Sequence, residues 1–145
     1  MRFGRSLNGY AYEVKTEFEV RSDDGGALHA IRSALASLLR EIGAPETEVF
    51  AAEIVIGELL TNTHRYARGE VRVTLDLDAN KASLVVRDRG TGPILPATLP
   101  DEHSESGRGL YIVQTLAKRL EATQRDGWME IRADLRVHRS TRKSA

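Results

Sequence analysis

Cysteine is absent from this chain, which excludes disulfides and thiolate metal sites and agrees with a cytoplasmic address. No apolar run reaches the roughly 18 residues that a membrane-spanning helix requires, and residues 1–8 lack the apolar core of a signal peptide. A membrane partner is therefore not expected. An excess of charge of one sign is missing as well, because 21 basic and 21 acidic side chains cancel to a formal net charge of zero. Basic residues are interspersed with acids except at the extreme C-terminus, so the electrostatic footprint of direct nucleic-acid binding is lacking too. What is present is 145 residues with 41% hydrophobic content, enough to bury the core of one ordinary domain. A single domain over 1–145 is expected, with the polar and basic stretch 138–145 as a frayed tail. Internal repeats are absent.

Periodicity sets the element order. Tyr10, Tyr12, Val14, Thr16, Phe18 and Val20 alternate with charged residues and predict a strand with one buried face. Asp23-Asp24-Gly25-Gly26 breaks it, and one of the aspartates is placed to cap a helix. Leu28, Ile31, Leu35, Leu38 and Ile42 recur at helical spacing until Gly43 stops them. Pro45 suits the first turn of a second helix running to about Ala67, whose apolar stripe is Val49, Ala52, Ile56, Leu59 and Leu60. Residues 71–77 and 82–88 alternate as a hairpin. From Arg89 to Arg108 regularity stops: glycines, Pro93, Pro96, Pro100 and a polar cluster form a connection too long for a routine loop, of the kind that serves as a functional lid. A helix follows from Gly109 to about Arg119, then a short strand at 120–123 and a last alternating strand from Met129 to Val137. Three helices with one apolar stripe each and strands with one apolar face each predict an α+β, two-layer sandwich. Its helices cover one face of a mixed, mostly antiparallel sheet.

Three places can carry chemistry, and each has two readings. At ~100° per residue, Glu58, Asn62 and Arg65 lie within about 60° of one another, on the far side of the helix from its apolar stripe. They are either ordinary solvated residues or an acid that can deprotonate a nucleophile beside an amide oxygen suited to Mg²⁺. Asp88 shares parity with Leu84 and Val86, so its carboxylate points toward the core. Either backbone amides satisfy it in an Asx turn, or a ligand amine or water does. Gly90 and Gly92 form a simple turn or permit close approach to a flat ligand. Gly107-Arg108-Gly109-Leu110 either punctuates a loop-helix joint or leaves the amides of a helix N-terminus open to phosphate. His64 falls off the Glu58 face and reads as a surface or packing residue.

E-x-x-x-N on a helix, D-x-G-x-G after a hairpin strand, a long loop, then G-x-G-L opening a helix resembles the N, G1 and G2 boxes of the GHKL superfamily. That superfamily includes DNA gyrase, mismatch-repair ATPases, histidine kinases and bacterial anti-sigma factor serine/threonine kinases. The likeness covers about residues 54–113 by motif and the whole chain by element order. It is nearest to the stand-alone anti-sigma group in Glu58-Leu59-Leu60-Thr61-Asn62 with Arg65 and Ala67, and in Gly107-Arg108-Gly109-Leu110-Tyr111-Ile112-Val113.

The resemblance implies a Bergerat-type sandwich that binds ATP and Mg²⁺. It implies Asn62 as the Mg²⁺ residue, Glu58 as general base toward a serine hydroxyl, and Asp88 as acceptor of the adenine amino group. Gly90 and Gly92 would let the adenine lie close. Gly107, Gly109 and Leu110 would stand at the phosphates, with Arg65 and Arg108 as phosphate contacts. The implied activity is Mg-ATP-dependent phosphorylation of a serine on an antagonist protein, coupled to sequestration of a sigma factor, and the implied assembly is a homodimer. A nucleotide-gated protein-binding module without turnover is the alternative. A histidine-kinase catalytic domain ranks lower, since Met1 reads as a natural start and no acceptor-bearing helix precedes the first strand.

Overall fold

The computed structural model describes residues 14–78, 80–90 and 108–138. Along these the order is β1 (Val14–Arg21), α1 (Gly25–Glu41), α2 (Glu46–Tyr66), β2 (Glu70–Leu77), β3 (Ala82–Asp88), α3 (Arg108–Leu116), β4 (Arg119–Arg125) and β5 (Trp128–Asp134). The strands form one sheet in the order β1-β2-β3-β5-β4. Every pairing is antiparallel, as the mostly antiparallel sheet expected from the sequence required, with no parallel pair among the described residues to make it mixed. The helix pair accounts for the first of these pairings: α1 and α2 are two passages between β1 and β2, and two passages return the chain to the end of the sheet it left. β2 must therefore descend beside β1.

Local chemistry sets the helix ends. Asp24 caps α1 by accepting a hydrogen bond from the Ala27 amide at 3.0 Å, which starts the helix ahead of its first apolar residue. It stops at Gly43, whose φ of 82° suits a residue without Cβ. Pro45 occupies the N-cap of α2, one position before the expected first turn, and Glu46 and Glu48 stand in that turn where the helix dipole favours acids. Arg40 reaches across this joint to Glu46 at 3.0 Å.

Several expected boundaries move. α3 ends at Leu116 rather than near Arg119 because the Lys118 amide donates to the Asp134 carbonyl at 2.8 Å, pulling the chain into the sheet. β4 then pairs with β5 over its full length around Asp126 and Gly127, both at positive φ (53° and 79°), as a two-residue hairpin of the favoured twist requires. β5 ends at Asp134 instead of Val137. Opposite it β3 begins only at Ala82, whose carbonyl takes the Leu135 amide at 2.8 Å. His138, expected in the frayed tail, is tied to the first turn of α2 by its backbone amide on the Glu48 carboxylate at 2.8 Å. Residues 10–13 of the expected first strand, the long connection over 91–107 and the tail 139–145 lie outside the described residues.

The core lies between the sheet and the helices. Leu35, Leu39, Val49, Ile56 and Leu59 from the helices meet Val71, Val73, Leu75, Leu84 and Val86 from the central strands, all buried. On the opposite face Trp128 lies under three guanidinium groups, those of Arg72, Arg87 and Arg89 at 5.9, 5.3 and 4.2 Å from the ring centroid. One core position is chemically mismatched. Thr16 of β1, paired with Leu75, is 2% exposed, and its hydroxyl has no hydrogen-bond partner among the described residues. Thr16→Val keeps the β-branched shape and removes the orphan, so it should stabilise the protein by about 1 kcal/mol. Urea unfolding followed by circular dichroism would read this as a higher midpoint at unchanged slope.

Candidate functional site

The two edges of α2 meet different neighbours. One faces α1, where Gly57 and His64 lie; the other carries Glu58 and Asn62 and is the edge that α3 packs against. The clearest sign is Gly109, the second residue of α3: a Cβ built on it would overlap a Glu58 carboxylate oxygen and lie 3.1 Å from Cδ. The acid of the E-x-x-x-N motif and a glycine of the G-x-G-L motif, far apart in sequence, are therefore direct neighbours. Among the described residues Glu58 is held by no hydrogen bond or ion pair, and only packing places it.

The surroundings of this carboxylate are polar in a directed way. The first amides of an α-helix lack intrahelical partners and carry partial positive charge. α3 has no acidic residue of its own in that turn, so Glu58 is the acid supplied to it, from another helix. Asn62 follows one turn later on the same edge, half-buried. Arg65 is exposed in the last turn of α2, and Arg108 is exposed at the start of α3. Leu110 packs partly buried against the core.

Asp88 forms the other end. It is 6% exposed at the last position of β3, on the core-facing side as its parity predicted. The Gly90 amide donates to its Oδ1 at 2.6 Å, so the local Asx-type arrangement is present. A carboxylate can accept further donors, and this one therefore keeps acceptor capacity. Gly90 itself fits against the end of α2: a Cβ there would lie 2.8 Å from Asp88 Oδ1 and 3.4 Å from the Tyr66 carbonyl. The end of β3 is thereby docked on the C-terminal end of the helix that carries Glu58 and Asn62. Gly92 and Gly107 lie outside the described residues.

His64 takes a structural position. Its Nδ1 is 2.7 Å from the Ser22 carbonyl, which can only accept, so that nitrogen carries the proton. The ring thereby clips the end of α2 to the turn before α1. Sequence reading passed over Gly57, although a glycine inside a helix marks close approach. In the structure the Arg32 guanidinium lies over it, with Cζ 2.8 Å from where a Cβ would stand. No group of three or more His, Asp or Glu side chains that could hold a metal is found among the described residues. Asn62 offers one oxygen, a donor set that fits Mg²⁺ when phosphate oxygens complete the shell.

Burial pushes the Asp88 carboxyl above its ordinary value, and the Gly90 amide opposes part of that rise. A raised folded-state value means that the group's contribution to stability is fully present below the unfolded value near pH 4 and is lost as pH rises through the folded value. Asp88→Asn stays neutral and keeps an acceptor for Gly90. It should therefore be more stable than wild type at pH 7, with the difference closing below about pH 4, as read by urea unfolding at both pH values.

Comparisons with known proteins give the chain a family. The chain is 25% identical over 113 residues to the serine-protein kinase RsbW of Bacillus velezensis, covering 67% of this chain and 71% of that protein. It is 26% identical to RsbW of Bacillus subtilis over the same length and shares. With RsbW of Bacillus licheniformis the identity is 28% over 102 residues, 59% of this chain and 64% of the relative. A profile of the histidine kinase-like ATPase domain matches residues 21–135, a span that takes in nearly every element described above and includes Glu58, Asn62 and Gly109. The chain belongs to the histidine kinase-like ATPase domain family.

Proposed function

We propose that this protein is a Mg-ATP-dependent serine protein kinase of the anti-sigma factor type, which phosphorylates a serine on an antagonist protein and sequesters a sigma factor. The observation that carries the reading is the meeting of Glu58 with the first turn of α3. It puts a carboxylate without a hydrogen-bond or ion-pair partner among the described residues beside helix amides suited to phosphate, in a chain similar to proteins named serine-protein kinases. Both ends of such a site have a residue to serve them. Asp88, buried with acceptor capacity left, would take the amino group of an adenine, and Gly90 and Gly92 would let the adenine lie close. Gly107, Gly109 and Leu110 would face the phosphates, with Arg65 and Arg108 as cationic contacts.

Asn62 would hold Mg²⁺, which when bound neutralises charge on the phosphate oxygens that surround it. Glu58 would accept the proton of the acceptor serine as the serine oxygen attacks the terminal phosphorus and the bond from that phosphorus to the bridging oxygen breaks, releasing ADP. Holding acceptor and nucleotide in line supplies most of the remaining acceleration in phosphoryl transfer. A single domain of this size would act on partner proteins rather than on nucleic acid, in the cytoplasm and as a homodimer. The function of the whole chain is then to couple nucleotide occupancy to which protein partner is held.

Titration with Mg-ATP and incubation with labelled ATP and candidate antagonist proteins test this. Glu58→Ala should reduce transfer by roughly 10²- to 10⁴-fold while ATP binding persists. Asn62→Asp and Asp88→Asn should each weaken binding of the nucleotide itself. Folded wild-type protein that binds no Mg-ATP would sink the reading. Tight, nucleotide-dependent partner binding without transfer would make the chain a gated binding module instead.

A further inference from the structure

We infer that Gly109 is a positioning residue for Glu58: its missing side chain reserves the space that the Glu58 carboxylate fills. The inference rests on the reading of Glu58 as the base. It goes beyond that reading by assigning to a glycine of the G-x-G-L motif a task toward a side chain on another helix, separate from any approach of phosphate.

Geometry and backbone conformation point the same way. A Cβ at position 109 would overlap one carboxylate oxygen of Glu58, stand 3.1 Å from its Cδ and 3.8 Å from its Cβ. All three of the nearest atoms that such a Cβ would meet belong to Glu58, so the space that Gly109 leaves open is space that the Glu58 side chain fills. The backbone does not ask for glycine here, since Gly109 is not among the positive-φ residues, and alanine is the better helix former. The obstructed atoms are the mobile end of a long side chain, which can turn to another rotamer at small cost. A methyl group at 109 is thus cheap for the fold and costly for the chemistry. A base must lie within hydrogen-bond reach of the proton it takes, and a displacement of about 1 Å in such a site can cost around a hundredfold in rate.

Two substitutions in the full chain separate this role from a phosphate role. Gly109→Ala should leave the thermal midpoint of the nucleotide-free protein unchanged or higher and the Kd for Mg-ATP within about threefold of wild type, while kcat for transfer falls by about a hundredfold. Glu58→Asp shortens the acid by one methylene and withdraws the carboxylate from position 109. In that background the further kcat loss from Gly109→Ala should shrink to less than about threefold, because the residues act on one another rather than independently. Equal losses in both backgrounds, or a loss that appears in Kd and not in kcat, would overturn the inference and leave Gly109 a phosphate neighbour only. A readout free of turnover decides the same point: the ¹³C carboxyl resonance of Glu58 in the nucleotide-free protein should shift on Gly109→Ala, and an unmoved resonance would overturn the inference. Wild-type protein without transfer would defeat the kinase reading, whereas the resonance and the thermal midpoint would still report whether residue 109 sets the place of Glu58.

Discussion

Two helices can bring their backbones close over a carboxylate only where one of them carries no side chain. In this protein that constraint falls on α2 and α3. α2 must bury Val49, Val55, Ile56, Leu59 and Leu60 against the sheet, which fixes its rotation about its own axis. With the rotation fixed, Glu58 and Asn62 emerge along the edge toward α3 and cannot be moved without exposing the core stripe. α3 then has to approach that edge with its first turn, and Gly109 is what permits the approach. Sheet order, helix packing and the placement of the acid are thus one problem with one solution.

Asp88 shows how a strand end is joined to the same arrangement. The alternation that carries Leu84 and Val86 into the core carries the next residue of that parity inward too, where a charge is unwelcome. The chain meets this by turning at once, so that Gly90 returns its amide to the carboxylate and rests on the end of α2. A polar group placed where the hydrophobic pattern demands an apolar one is often a functional residue. Here it also anchors β3 to the helix that carries the acid.

Much of this architecture is legible in the chain itself. Alternation located β2 and β3 to within a residue, and the three helical stripes required a sheet with one covered face. Boundaries shifted where a backbone hydrogen bond from a distant segment decided the matter: the amide of Lys118 goes to Asp134, and no local pattern around Leu116 announces that. The antiparallel pairing of β1 with β2 followed from counting helix passages, a global property that no window of sequence contains. In the site, the angular relation of Glu58 to Asn62 could be read from helix geometry, and the inward parity of Asp88 from strand geometry. The contact of Glu58 with Gly109 could not be, because spacing within an element says nothing about which elements touch. Only the order of the motifs, and the family they resemble, pointed to it. Gly57 beneath Arg32 left a trace, a glycine in mid-helix, that periodicity alone passes over.

The stack of guanidinium groups on Trp128 has an optical consequence. This is the chain's single tryptophan, and it opens β5 beside the end of β3, where Met129 faces Asp88 across the ladder. Arg89, the nearest of the three cations, directly follows Asp88 along the chain. Indole emission responds to charge over the ring, so the protein carries an intrinsic fluorophore whose intensity and colour depend on where residue 89 lies. Any rearrangement of the backbone that leaves β3 at Asp88 is written into the near-ultraviolet spectrum, on the face of the sheet that the helices do not cover.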